Sequence, residues 1–363
     1  MKEKKSFIII GIFIVSIIII LFGGALIYNK FFFKKNYSEV ETIIKEATIK
    51  YFEKYEEKLP RNINDSITVT VNTLVQNNLM DTIASYTKNN TVTCDGEVSV
   101  TNINGNYRYA TTLDCGETYK TQTLTEYIND NVSIVTKGSG LYKINDTLIY
   151  KGDNVDNYLK LNNKMYRIVK FVNNHPVIIL TDNADSVVWD DRYNINNNSD
   201  SGINDFEKSR IKEYLNKLYK SNNTDSLLND ETRMLVTSYD LPIGRRKNAD
   251  NDKTGSLENA QILTNQYIGL LPVNDFLTAS LDENCTNTIA ESCKNYNYLS
   301  KYKYNWWTVT ANSTNTYKVY IINKTANTTL ASSQAYVRPV FNLAKDTIYV
   351  SGDGSKNNPF IIK

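Results

Sequence analysis

The segment between two cysteines, CDGEVSVTNINGNYRYATTLDC (Cys94–Cys115), constrains the fold more than any other part of the chain. Its centre is Asn104-Gly105, a pair that favours a two-residue type I′ hairpin turn because both positions need a positive φ. Cys94 and Cys115 are equally far from this turn, so a hairpin places them opposite each other. Counted from the turn, this position is a non-hydrogen-bonded pair. The Cα atoms of such a pair are about 4.5 Å apart, which a disulfide accepts. We therefore predict a Cys94–Cys115 disulfide; the alternative is a pair of buried free thiols.

The two faces of this hairpin support the same register. Side chains alternate across a strand, so a shift by one residue would mix apolar and charged residues on each face. The apolar face comprises Cys94, Val98, Val100, Tyr107, Tyr109, Leu113 and Cys115, and the polar face comprises Asp95, Glu97, Ser99, Arg108, Thr112 and Asp114. Because disulfides persist in oxidising compartments, the pairing predicts that the chain works outside the cytoplasm.

The other two cysteines, Cys285 and Cys293, enclose the short polar loop TNTIAES. Neither cysteine pair has the C-x-x-C spacing of a zinc or redox site, so we predict a local disulfide here as well. A catalytic cysteine pair is the alternative, although no matching motif surrounds these residues. The chain has a single histidine, His175, which excludes most histidine-based catalysis and sites with several imidazole ligands. We expect His175, which precedes a proline, to be a turn residue.

A long apolar stretch, SFIIIGIFIVSIIIILFGGALIYN (residues 6–29), carries no charged side chain. As a helix it would be about 36 Å long, enough to cross a hydrocarbon core of about 30 Å. It is too long for the core of a signal peptide, and no A-x-A-like cleavage site follows it. We predict a cytoplasmic tail over residues 1–5, a transmembrane signal anchor over 6–29 and the other domains outside. The predicted localisation is therefore the cell membrane, as a single-pass protein held by this helix.

An amphipathic helix is predicted after the apolar stretch. From Tyr37 onwards apolar residues recur every three or four positions, and Pro60 ends the pattern. This apolar face comprises Val40, Ile43, Ile44, Ala47, Tyr51, Phe52 and Tyr55. A short strand, ITVTV, and a short helix at NTLVQNNLM are predicted between this helix and the hairpin.

This order of elements carries a family resemblance. The apolar helix, its continuation EVETIIKEATIKYFEKY, the segment TVTVNTLVQNNLM and the cysteine-bracketed hairpin resemble the pilin-like stalk regions of Gram-positive surface proteins over about residues 1–121. The resemblance implies a small helix-plus-hairpin stalk domain over 36–120. The prepilin processing signature is missing from KKSFIIIGIF, so we predict neither cleavage nor assembly into a filament.

Residues 121–139 are polar and run into Gly138-Ser139-Gly140, which predicts a linker. The following segment, 140–363, contains many short strand patterns separated by Asn-rich turns. Helices are predicted within it at SGINDFEKSRIKEYLNKLY and VNDFLTASL. The pattern indicates a domain of mixed α/β structure.

Residues 140–363 resemble an uncharacterised family of bacterial extracellular domains. The residues that carry this resemblance are GLYK (140–143), YRIV (166–169), VWDDRYN (188–194), QYIGLL (266–271), NWWT (305–308), YVRPVFNL (336–343) and SGDGSKNNPF (351–360). The paired tryptophans and the Arg-Pro strand look like the C-type-lectin-like and sulfatase-modifying-factor-like folds. The predicted fold class is thus α+β: a transmembrane helix, a pilin-like helix-plus-hairpin domain, and a mixed α/β, C-type-lectin-like domain rich in short antiparallel strands.

The paired tryptophans are the predicted ligand-binding residues. Trp306 and Trp307 alternate across a strand, so one ring can face the core and the other a surface groove. With Asn305, Tyr317 and Tyr320 they would form a stacking platform for a sugar or a peptide. The alternative is that both rings fill the core.

Two acidic segments raise the question of calcium. DNDKTGSLENAQ (250–261) has oxygen-bearing side chains at several EF-hand positions, but its last position is Gln261 where a bidentate Glu is needed. A polar surface loop is the alternative interpretation. The second group of candidate ligands is Asp182, Asp185, Asp190 and Asp191. Their spacing does not demand a metal, so we predict no metal site. If these carboxylates bound a cation, they would select calcium.

The predicted function is a membrane-anchored extracellular binding or adhesion protein that recognises a glycan, a cell-wall component or a protein ligand. The net charge of +2 gives no reason to expect a nucleic-acid partner. The alternatives are a cell-wall-acting enzyme that uses carboxylates of the C-terminal domain, or a structural subunit of a pilus-like assembly. We predict no catalytic residue, because no paired acid and base motif is recognisable.

Overall fold

The chain forms two units, of which the first ends at Thr121 and the second comprises Gln122–Lys363. The structure is a computed structural model that describes residues 34–87, 92–223 and 225–363. In the first unit the helices are α1 (Tyr37–Lys54), α2 (Val71–Gln76) and α3 (Ile83–Tyr86), and the strands are β1 (Ser66–Thr70), β2 (Asp95–Ile103) and β3 (Asn106–Asp114), which pair in the order β1-β2-β3.

The cysteine-bracketed hairpin has the predicted register. β2 and β3 are antiparallel, and facing residues are equally far from the turn out to Asp95 opposite Asp114. Asn104 and Gly105 have φ values of 54° and 86°, as a type I′ turn requires. The Cys94–Cys115 disulfide follows at the end of the ladder, with Cα atoms 4.2 Å apart. The prediction of this disulfide is confirmed.

Helix α1 buries its predicted apolar face. Asn36 and Glu39 cap the helix through reciprocal hydrogen bonds between each side chain and the backbone N–H of the other. The sequence did not predict the burial of Glu41, whose carboxylate accepts hydrogen bonds from the hydroxyls of Tyr119 and Thr121. These donors replace water and so allow the carboxylate to be buried. The core of this unit includes Val40, Ile44, Ala47, Tyr51, Phe52, Val98, Val100 and Leu113.

The second unit contains five of the described helices and most of the described strands. Its helices are α4 (Leu124–Asn131), α5 (Arg210–Lys220), α6 (Asp230–Arg233), α7 (Ser256–Asn259) and α8 (Val273–Ala279). Its strands are β4 (Gly140–Ile144), β5 (Thr147–Lys151), β6 (Tyr158–Leu161), β7 (Lys164–Val172), β8 (His175–Leu180), β9 (Ser186–Val188), β10 (Val236–Thr237), β11 (Tyr239–Pro242), β12 (Ile262–Gln266), β13 (Trp306–Ala311), β14 (Lys318–Asn323), β15 (Thr325–Leu330), β16 (Gln334–Tyr336), β17 (Val340–Leu343), β18 (Tyr349–Ser351) and β19 (Phe360–Ile362).

The strands of the second unit form two main sheets. The larger has the order β10-β17-β8-β7-β6-β19-β18, with β5 paired to β7 and β4 to β5. The other has the order β15-β14-β13-β16-β9, and β11 pairs with β12. The pairs β6–β19 and β13–β16 are parallel, whereas pairs such as β7–β8 and β13–β14 are antiparallel. One apolar core joins residues of both sheets, including Tyr166 and Phe341 of the larger and Trp307 and Val319 of the other.

The predicted fold class and localisation need a correction. Among residues 34–87, 92–223 and 225–363 no helix combines the length and the apolar character that crossing a bilayer requires. The predicted anchor over 6–29 lies outside the described residues. Over the described residues the fold class is mixed α/β with many strands, and no helix among them supports the predicted transmembrane helix or the single-pass membrane localisation, which are corrected on this finding. The second disulfide, Cys285–Cys293, is present with Cα atoms 4.5 Å apart, and two disulfides are consistent with an extracellular protein.

The segment predicted as a linker, residues 121–139, instead contains helix α4. Thr123 caps this helix by accepting a hydrogen bond from the backbone N–H of Glu126. Leu124 and Ile128 are fully buried in the core of the second unit. They are four residues apart and so lie on one helix face, which is the apolar signal that the polar composition of the segment obscured.

Removal of the hairpin disulfide should destabilise the first unit. The bridge joins residues 21 positions apart, so the Cys94→Ser/Cys115→Ser variant should lower the free energy of unfolding by about 3 kcal/mol. Urea titration with amide hydrogen exchange of α1 and the hairpin measures this loss. The matched control is Cys285→Ser/Cys293→Ser, which opens a bridge 8 positions apart in the second unit and should leave exchange in the first unit unchanged. Unchanged stability of the first unit without Cys94–Cys115 would contradict this prediction.

The packing of α4 predicts a large effect of a substitution that a linker would tolerate. Leu124→Ala should lower the free energy of unfolding of the second unit by about 3 kcal/mol, because it leaves a cavity in the core. The control is Ile134→Ala, since Ile134 belongs to the same segment but is 49 % exposed; its effect should stay within about 0.5 kcal/mol. Urea unfolding followed by tryptophan fluorescence measures both, and equal effects of the two variants would show that α4 is not part of the core.

Candidate functional site

The tryptophans predicted to bind a ligand belong to the core. Trp306, Trp307 and Tyr320 have at most 1 % of their surface exposed, and the Trp307 N–H and the Tyr320 hydroxyl are hydrogen-bonded inside the protein. The two tryptophan rings point to opposite faces of β13, and both faces are covered. Asn305 is exposed and Tyr317 is half-buried. The predicted stacking platform is corrected accordingly, because three of its five residues offer no surface to a ligand.

The EF-hand-like loop is held together by its own hydrogen bonds. Asp252 accepts hydrogen bonds from the backbone N–H groups of Thr254 and Leu257. Burial alone would raise the pKa of Asp252, but these bonds lower it to about 2. Glu258 is fully buried in an ion pair with Arg246, with Oε1 and Nη1 2.9 Å apart. The carboxylates are thus already engaged in stabilising the loop.

The carboxylates of the second group of candidate calcium ligands are also either engaged by other side chains or exposed to solvent. Asp190 is fully buried and pairs with Arg192 at 2.9 Å, whereas Asp182 and Asp191 are exposed. Asp185 accepts a hydrogen bond from the hydroxyl of Tyr214. Within the part of the chain that the structure describes, no three His, Cys, Asp or Glu side chains are grouped so that they could hold a metal ion.

A cleft of about 790 Å³ lies over the larger sheet of the second unit. Its floor consists of alternate residues of β5, β7, β8 and β17, since alternate side chains share one face of a strand. The register places Ile149 opposite Lys170, Lys170 opposite Val177, and Val177 opposite Asn342. These side chains form one row across four strands. Residues two positions away continue the floor, namely Lys151, Val172, His175 and Val340.

Helix α8 forms a wall of the cleft beside this row. It begins after Pro272, and Asn274, Asp275 and Thr278 line the cleft from it. Lys170 Nζ lies 2.7 Å from Asp275 Oδ1, and the two side chains are only 19 % and 6 % exposed. This ion pair joins the floor to the wall and neutralises the charge of Lys170 in the middle of the cleft.

Four oxygen atoms of the cleft lining are buried and have no hydrogen-bond partner among the described residues. They are Asp275 Oδ2, Asn274 Oδ1, Asn342 Oδ1 and the hydroxyl oxygen of Tyr239. Asn274, Asp275 and Asn342 are each more than nine-tenths buried. A buried acceptor that is left unpaired costs about 1–3 kcal/mol, and buried polar groups in native proteins are normally satisfied. The lining is therefore suited to water or to a ligand that donates hydrogen bonds.

Two lysines line the same cleft without an ion-pair partner in the described ranges. Lys151 and Lys253 are both half-buried. Burial lowers the pKa of each ammonium group, and the positive charge of Lys151 lowers that of Lys253 further. Lys151 Nζ also lies 5.0 Å from the centre of the Tyr142 ring. Both ammonium groups thus belong to one cleft and are available to an anion.

Two glycines leave room for the polar groups of the cleft. A Cβ at Gly269 would lie 2.4 Å from the hydroxyl of Tyr239, so any other residue would displace that ring. A Cβ at Gly255 would lie 2.5 Å from Asn274 Nδ2, and Gly255 has a φ of +83°, which favours glycine. Both glycines thus preserve the positions of residues that line the cleft.

No local sequence pattern marks this cleft. Its residues extend from Ile144 to Asn342 and follow no local motif. His175, expected in a turn, is the first residue of β8 and forms part of the floor, with Nδ1 2.9 Å from the carbonyl oxygen of Leu343. One local signal existed, because the polar pair Asn274-Asp275 directly follows Val273 in a segment, VNDFLTA, that is otherwise largely apolar.

The Lys170–Asp275 pair predicts a strong effect of a single substitution. Lys170→Met leaves the buried carboxylate of Asp275 without its cation and should lower the free energy of unfolding by about 3 kcal/mol. The double variant Lys170→Met/Asp275→Leu removes both charges and should regain most of this loss. Urea unfolding followed by tryptophan fluorescence distinguishes the two variants. Equal stability of the single and double variants would contradict a buried ion pair that holds α8 on the sheet.

The cleft combines a concave surface, unpaired buried oxygens and two unpaired lysines among the described residues, which are features of a site that holds a polar ligand. No protein-family model, no curated protein and no solved structure matches this chain.

Proposed function

We propose that this protein is an extracellular binding protein whose second unit holds its ligand in the cleft over β5, β7, β8 and β17. The observation that carries the proposal is the set of buried, unpaired oxygens of Asp275, Asn274 and Asn342. A ligand that donates hydrogen bonds would satisfy them together. The location outside the cytoplasm is supported by the two disulfides.

The carboxylates of the cleft favour binding over hydrolysis. Asp240 and Asp275 are the acidic residues that line it. General acid–base catalysis by two carboxyl groups needs environments that keep one protonated and the other ionised. Asp275 is instead engaged by Lys170, while Asp240 is exposed to solvent. This arrangement suits the positioning of a ligand better than the cleavage of one.

The size of the cleft restricts the ligand to a small molecule or to a short part of a polymer. Its volume of about 790 Å³ falls within the range of about 300–1,000 Å³ that is usual for such sites. A glycan, a fragment of a cell-wall polymer or the end of a protein chain would fit this space. The apolar floor residues Ile149 and Val177 would pack against the carbon skeleton of the ligand.

The test is a screen of the full chain against glycans, peptidoglycan fragments and peptides, followed by a variant that fills the cleft. Val172→Trp places a large ring on a floor residue that is 38 % exposed, so the fold should tolerate it. Binding of the ligand found in the screen should weaken at least about tenfold. The matched control is Leu330→Trp, on the other main sheet and 39 % exposed, which should bind like the unaltered protein.

Two results would overturn the proposal. One is a ligand whose affinity is the same for Val172→Trp and Leu330→Trp, because that ligand would bind elsewhere. The other is turnover of a cell-wall polymer that Asp275→Asn abolishes, because the cleft would then be an active site.

A further inference from the structure

The cleft separates positive charge from hydrogen-bond acceptors. Lys151 lies on β5, at one end of the strand series β5-β7-β8-β17, and Lys253 lines the same cleft beside α8, where its carbonyl oxygen accepts a hydrogen bond from the Thr278 hydroxyl. Asn342 lies on β17 at the other end, with Asn274 and Asp275 between them beside Lys170. Neighbouring strands are about 4.8 Å apart, so the two ends are about 14 Å apart. A ligand that reaches both ends needs an anionic group at one end and hydrogen-bond donors along the rest.

Neither lysine is neutralised by an ion pair, although the negative charge of Asp282 offsets part of the positive charge of Lys253. Lys170 is neutralised by Asp275, but no carboxylate of the described residues lies within 4.0 Å of Lys151 or Lys253. Asp282 is the acid that acts on Lys253, and its carboxylate is already hydrogen-bonded to Asn295 and to the backbone of Asn284. Two half-buried ammonium groups that repel each other form a favourable place for one anion.

We infer that the ligand is an anionic carbohydrate. This inference rests on the proposed binding function of the cleft. A carboxylate or phosphate of the sugar lies between Lys151 and Lys253, and its hydroxyl groups donate hydrogen bonds to Asp275, Asn274 and Asn342. The distance of about 14 Å between the two ends corresponds to more than one sugar ring, so the bound unit is a short oligosaccharide.

The density of acceptors favours a sugar over an acidic peptide. Asn274 and Asp275 are adjacent and their side chains are in contact, with Asn274 Nδ2 3.4 Å from Asp275 Oδ1, and each of these two side chains carries one unpaired oxygen. A sugar ring presents several hydroxyl donors within one residue. An extended peptide presents successive N–H groups on one side only about 7 Å apart, because alternate groups point the opposite way. The apolar floor at Ile149 and Val177 also suits the C–H face of a sugar ring.

The test compares matched probes by calorimetric titration of the full chain. The carboxylate probe is a trimer of galacturonic acid, with its methyl ester as the uncharged counterpart. The phosphate probe is phosphorylated lactose, with lactose as its counterpart, and triglutamate represents an acidic peptide. We expect at least one acidic sugar to bind about tenfold or more tightly than its counterpart, with an affinity that falls as salt is raised. The probe that binds distinguishes a carboxylate from a phosphate ligand.

The lysine variants locate the anion in the cleft. Lys151→Met/Lys253→Met should lower the affinity for the acidic sugar about tenfold more than that for the uncharged counterpart. The control is Lys160→Met, an exposed lysine on β6 that does not line the cleft and should have no effect. Asn342→Ala should weaken the binding of the acidic sugar and of its uncharged counterpart to the same extent. Thermal unfolding of each variant confirms that it is folded.

The outcomes separate this inference from the proposed function. Equal binding of acidic and uncharged sugars, tighter binding of triglutamate, or no binding of any acidic sugar would each overturn the inference. The proposed function would still stand in these cases if Val172→Trp blocks a ligand found in the broader screen. If Val172→Trp blocks no ligand, both are wrong.

Discussion

The cleft of the second unit depends on one ion pair, Lys170–Asp275, which joins a strand of the large sheet to helix α8. Both charges are largely buried, so desolvation cancels much of their attraction and the net gain in stability is small. Loss of one partner is costly, however, because the other charge remains buried. The pair therefore determines the position of α8 over the sheet more than it stabilises the fold. That position brings Asn274 and the second oxygen of Asp275 to the cleft.

The other features of the cleft conflict with what stability alone would favour. A helix buried throughout would be more stable with apolar residues at its start, yet α8 has Asn274 and Asp275 there. Gly269 and Gly255 keep space for Tyr239 and Asn274 that a larger residue would fill. Conflicts between local preference and the global fold concentrate at functional sites. Here they converge on one concave surface, which is why the proposed function is assigned to it.

Several parts of the fold could be predicted because their determinants are close in sequence. The apolar positions of α1 and the start and type of α8 follow from periodicity. The 121–139 segment was misjudged because Leu124 and Ile128 are a short apolar signal in a polar stretch. One of the two rings, Trp306 or Trp307, was expected to face a groove because alternation describes the two faces of a strand. It does not tell whether distant segments cover both of them.

The amino-acid sequence by itself determined the register of the first unit's hairpin and the Cys94–Cys115 disulfide. The turn preference of Asn104-Gly105 and the alternation of side chains act over neighbouring residues, so they specify the pairing without knowledge of the remaining fold. Only the tertiary structure decided which polar groups surround the cleft. Lys170 and Asp275 are 105 residues apart, and their contact depends on how a sheet and a helix pack, which no local pattern encodes.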